Sequence, residues 1–63
     1  MTPQQRTDTF RRLYATIPGS GRERIERICN ILYCKPNTVR VWHMKHSPRP
    51  IPYAKLRILT ERL

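Results

Sequence analysis

The chain has 63 residues, enough for one domain, and a domain of that size buries only about 60% of the surface its unfolded form exposes, so its core is small. Its 13 Lys and Arg against 4 Asp and Glu give a formal net charge of +9 and a sequence pI near 10.9, a balance that favours polyanionic partners over basic or neutral ones. No apolar run approaches the ~18 residues of a membrane span and the first residues lack the apolar centre of a secretory signal, so the expectation is a cytosolic protein with no membrane partner.

Thr2-Pro3-Gln4-Gln5 opens the first predicted element with an N-cap, a proline at the first helical position and a glutamine at the capping-box position. Phe10, Leu13, Tyr14 and Ile17 then recur at i, i+3, i+4 and i+7, which predicts a helix from about Pro3 to Thr16. Pro18-Gly19 ends it, because the residue before a proline leaves the α region and glycine admits a reversal. Arg6, Arg11 and Arg12 on this helix read as its solvated face.

Ser20 and Glu23 have the spacing of a second capping box, so the next helix starts near Gly21. Ile25, Ile28, Cys29 and Leu32 form its apolar stripe. After a short break at Tyr33-Cys34-Lys35, Pro36 opens a third helix to about Lys45, with Val39 and Trp42 inward, three residues apart. Asn37, Thr38, Arg40, Val41 and Met44 are left on or near the outward surface. Such amide, hydroxyl and guanidinium groups suit base edges and phosphates. Tyr33 either covers the core or offers its hydroxyl to a phosphate. His46-Ser47-Pro48-Arg49-Pro50 is too rich in proline to be helical and reads as a stiff connector with a basic tip. Beyond it, Pro52 opens a last helix striped by Leu56, Leu59 and Leu63 and flanked by Ala54 and Ile58. No strand pattern, repeat or low-complexity tract occurs.

The charge is unevenly placed. Between Glu26 and Glu61 there is no acidic residue, while Arg27, Lys35, Arg40, Lys45, Arg49, Lys55 and Arg57 all fall inside that stretch. The acid-free stretch contains the third helix, so the outward residues of that helix sit in the basic half of the chain.

Two short helices joined by a short break, with a small residue (Cys29) inside the first, an inward Val39 and a Trp42 in the second, and Ile51-Pro52 ahead of the next, resemble the phage Cro and repressor type of helix-turn-helix regulator. The resemblance covers roughly Ser20 to Leu63, with the motif at about residues 21–45. It implies an all-α fold: a small four-helix, Cro/repressor-like domain, with room for a fifth short helix. Two positions depart from the pattern. Tyr33 stands where glycine is common, so a positive φ there carries a strain of order ~1 kcal/mol, and Lys35 replaces the usual Ser or Thr cap.

The function expected from this reading is sequence-specific binding of double-stranded DNA. The third helix enters the major groove with Asn37, Thr38, Arg40 and Val41 at base edges, while Arg22, Arg24, Lys35, His43, Lys45, His46 and Arg49 hold phosphates. The amide end of the second helix is a further candidate for a phosphate. The resemblance implies a homodimer on a near-palindromic operator, half-sites about one turn (~34 Å) apart, acting in transcriptional repression or switching. An RNA binder, or a protein-interaction module of antirepressor or antitoxin type using the same basic surface, is the alternative.

Enzymatic chemistry has no support. Asp8, Glu23, Glu26 and Glu61 are scattered rather than paired, and no glycine-rich phosphate loop is present. The chain is too small for an enclosed substrate pocket, so no small-molecule substrate and no cofactor are expected. Cys29, Cys34, His43 and His46 lack the usual zinc spacing, which leaves two reduced thiols and no metal site.

Overall fold

A computed structural model describes all residues, 1–63, as four α-helices with no strand. They are α1 (Pro3–Thr16), α2 (Gly21–Leu32), α3 (Pro36–His43) and α4 (Tyr53–Arg62). Helices α1 and α2 start as their sequences require. In each, an N-cap hydroxyl (Thr2, Ser20) accepts the N–H three residues on, and the side chain there (Gln5, Glu23) returns to the cap N–H. Gly19, at φ 105, makes the reversal between them, a conformation that side chains with a Cβ rarely adopt.

Helix α2 ends at Tyr33, which takes the left-handed conformation (φ 54, ψ 49) and donates its N–H to the Cys29 carbonyl at 2.8 Å. This is the single-bond left-handed C-cap, here without the usual glycine. Cys34 and Lys35 follow in extended or irregular backbone, and Pro36 starts α3. At 90% exposure Tyr33 does not cover the core, which removes one of the two roles expected for it.

Helix α3 is shorter than the expected run to Lys45: it stops at His43, and Met44 is already extended (φ −64, ψ 138). Contacts from distant parts of the chain explain the stop. The Arg11 guanidinium donates to the His43 carbonyl, and the Ser47 hydroxyl donates to the Val41 carbonyl at 2.7 Å, so the carbonyls at the helix end are satisfied without another turn. Residues 44–52 contain no helix, so the optional fifth helix is absent; Pro48, Pro50 and Pro52 deny that segment three backbone donors. Pro52 is the cap of α4 rather than its first helical residue.

The core gathers Phe10, Tyr14 and Ile17 from α1, Ile28 and Leu32 from α2, Val39 and Trp42 from α3, and Leu56 and Leu59 from α4. Ile51, from the connector, is fully buried with them. Trp42 meets Phe10 edge-on, centroids 6.1 Å apart, which makes it a packing residue. Leu13, Ile25 and Cys29 pack against the core only partly buried, and Leu63 and Ile58 stay 38% and 42% exposed, so the stripe of α4 reaches only from Leu56 to Leu59. Helices α1 and α2 each pack against both α3 and α4. None of the four is long and apolar enough to cross a membrane.

Candidate functional site

Burial of Val39 and Trp42 fixes which face of α3 looks outward. Two clefts flank that face. One, between α2 and α3, is lined by Arg22, Ile25, Glu26, Lys35, Pro36, Asn37 and Arg40; the other, between α3 and the connector, by Asn37, Thr38, Val41, Trp42 and Arg49. Asn37 lies on the ridge that both share. Asn37, Thr38, Arg40 and Val41 therefore form one continuous surface, flanked by Arg22 and Lys35 on one side and Arg49 on the other. On the ridge, Arg40 Nη1 donates to Asn37 Oδ1 at 3.0 Å, which ties the two side chains one helical turn apart.

The amide end of α3 is open. Lys35 is its N-cap and offers no side-chain acceptor. Pro36 has no N–H, and the N–H groups of Thr38 and Val39 both reach the Lys35 carbonyl, at 3.0 and 3.3 Å. The Asn37 N–H is left as the free donor, at the positive end of the helix dipole and beside a lysine. A cation at that end is unfavourable for the isolated helix and favourable once an anion arrives.

The amide end of α2, the other candidate for a phosphate, differs. Glu23 already occupies it, its carboxylate accepting the Ser20 N–H while the Ser20 hydroxyl accepts the Glu23 N–H. An anion there meets a carboxylate, so this end is the poorer phosphate site. Arg22, one residue inside it, is 88% exposed and forms an i,i+4 pair with Glu26 at 3.4 Å, the kind of exposed pair that yields readily to a competing anion.

Two of the expected phosphate-holding residues are engaged inside the protein. Arg24 donates from Nε to the Ile17 carbonyl at 2.6 Å and lies 5.5 Å over the Tyr14 ring. His43 stacks on the same tyrosine, ring centroids 3.9 Å apart and tilted by 32°. Burial first, then the nearby Arg11 and Arg24 charges, hold the His43 pKa below the ordinary 6.5, so the imidazole is neutral near pH 7. Lys45 and His46 are exposed in the turn after α3, outside both clefts, and the Lys45 carbonyl accepts a 3.4 Å bond from Gln4 Nε2 on α1.

Sequence reasoning missed Arg11 and Ser47. Arg11 looks like one of several solvated arginines on α1, yet it caps α3 from 32 residues away; Ser47 looks like part of a polar connector, yet it binds Val41 and accepts the Arg49 N–H, so it sets where Arg49 stands. The Ser-Pro-Arg order offered a local signal for the second, since a serine hydroxyl commonly accepts the N–H two residues on. Nothing local signalled the first. No three His, Cys, Asp or Glu side chains come together where a metal ion would need them. Comparison with family models, curated proteins and solved structures finds no match for this chain.

Proposed function

We propose that α2, its turn and α3 act as a helix-turn-helix of Cro/repressor type, and that the protein is a small transcriptional regulator binding double-stranded DNA in a sequence-specific way. The observation that carries this reading is the open, uncapped N-terminal half of α3, presented with Lys35, Arg40, Arg22 and Arg49 around it while Val39 and Trp42 hold the opposite face in the core. Helix α3 enters the major groove. Arg40 addresses a guanine edge, Asn37 shares its amide between Arg40 and a base, and Thr38 and Val41 lie against base edges and thymine methyls. Arg22, Lys35, Lys45, His46 and Arg49 set the register on flanking phosphates. Arg24 and His43, engaged with Tyr14, are left out of this set. A homodimer on a near-palindromic operator, and repression as the output, extend the reading by analogy with the regulators it resembles.

Arg40→Ala and Lys45→Ala test the division of labour. Arg40→Ala is expected to lower affinity for the selected site by about 1–3 kcal/mol and to flatten preference at one base position, whereas Lys45→Ala weakens selected and random duplex alike and reduces the salt slope by about one. Sites selected from a random duplex pool supply the probe. Equal losses on selected and random DNA for both variants remove the base-reading role. One observation favours a second reading as an RNA or single-strand binder: Tyr33 and Tyr53 are 90% and 56% exposed, and unburied aromatic rings are what unpaired bases stack on. Competition between duplex DNA and RNA decides between the two.

A further inference from the structure

Neither thiol enters the reading above, and their placement at the turn is particular. Counting back from the left-handed residue Tyr33, Cys29 is the helical residue whose carbonyl takes the Tyr33 N–H, and Cys34 is the first residue past Tyr33. At left-handed helix ends an apolar contact between these two positions is frequent and helps to seal the helix. Here both are cysteine. Both are free thiols, each partly buried and packed against the same core, one on each side of the left-handed residue that ends the helix. Only Lys35 separates Cys34 from the first residue of α3.

We propose that Cys29 and Cys34 form a reversible dithiol–disulfide pair that controls how α3 is set against α2. Closure by a low-molecular-weight disulfide balances as follows. A Cys29 thiolate attacks one sulfur of the small disulfide and releases one thiolate; the Cys34 sulfur then attacks Cys29, forming the internal bond and releasing the second. The protein loses two protons and two electrons, and the small disulfide becomes two thiols. Burial, then the neighbouring Cys29, hold the Cys34 thiol above its ordinary pKa, partly offset by the Lys55 charge, so closure is favoured at mildly alkaline pH, where more of the attacking thiolate is present. The bond fixes the two sulfurs about 2.05 Å apart, and because Cys34 leads straight into Lys35 and Pro36, the start of α3 moves with it. The pair stands whether or not the surface of α3 binds DNA.

The test uses the full chain in mixtures of reduced and oxidised glutathione at mildly alkaline pH, quenched by alkylation and read by intact mass. Wild type is expected to lose two hydrogens as a monomer, to take up no alkylating groups, and to return to the dithiol with reductant. The variants C29S and C34S, their folding checked by thermal melts, are expected to stop at one bound glutathione. Wild type accumulating glutathione adducts without closing, or forming only disulfide-linked dimers, overturns the pair without reference to either variant. Amide chemical shifts of residues 33–38 are expected to move on closure, and shifts that stay in place overturn the control of α3.

Discussion

Tyr33 carries the one strained non-glycine backbone of the chain, and its side chain gives little back: at φ 54 and 90% exposure the ring covers almost nothing. A left-handed conformation costs a residue with a Cβ on the order of 1–2 kcal/mol, of which glycine forfeits part through its freer unfolded state. Tyr33→Gly is therefore expected to stabilise the protein by about 0.5–1 kcal/mol, seen as a higher melting temperature. A lower one would mean that the phenol contributes contacts the fold depends on. His43 gives the second residue-scale expectation. Its folded pKa lies below the ordinary 6.5, so the unfolded chain binds the proton more readily. The stability linked to it is present above about pH 6.5 and declines as the pH falls through the lower folded value. Denaturant midpoints between pH 7.5 and 5.5 are expected to fall for wild type and to stay nearly flat for His43→Gln; parallel slopes in the two proteins would assign the acid sensitivity elsewhere.

At the scale of the elements, the helix starts and the ends of α1 and α2 were legible, and the end of α3 was not. Thr2 with Gln5, Ser20 with Glu23, and Pro36 announce their helices within a few residues of sequence, because capping is local chemistry. The end of α3 depends on Arg11, 32 residues away, and on Ser47 within the connector, and no periodicity contains that information. Burial of Ile51 was invisible for the same reason: it sits between prolines, outside any helical stripe. The outward surface of α3 followed directly from the inward pair Val39 and Trp42, whereas the engagement of Arg24 and His43 with Tyr14 needed the placing of α1 beside residues of both α2 and α3. Lys35 tests what the open end of α3 is for. Lys35→Ser supplies the missing acceptor and is expected to raise stability by about 0.5–1 kcal/mol in thermal or denaturant melts. The same change is expected to weaken binding to every duplex similarly, with the salt slope smaller by about one. A stabilised variant that binds as tightly as wild type would show that the uncapped end serves no anion.

At the scale of the molecule, a net charge of +9 on 63 residues is a liability for the free protein and an asset on a polyanion. Only two ion pairs offset it, Arg22 with Glu26 and Arg57 with Glu61, and both are exposed and of the i,i+4 kind. Self-repulsion of the remaining cations acts against a small core, so screening alone is expected to raise the melting temperature of the free protein between about 10 and 200 mM salt, as the screening length falls toward 10 Å and below. Binding responds in the opposite sense. Lys35, Lys45 and Arg49 form no ion pair, and Arg22 has only its exposed partner to surrender, so under the proposed DNA-binding reading about three to four phosphates would be neutralised per protomer. The logarithm of the duplex association constant is then expected to fall against the logarithm of salt concentration with a slope of about −3 per protomer, doubled for a dimer on two half-sites. A slope near zero on duplex DNA, measured together with the rise in melting temperature, would separate the two effects: the charge would still be destabilising the free fold, and its partner would be an acidic protein surface rather than a phosphate backbone.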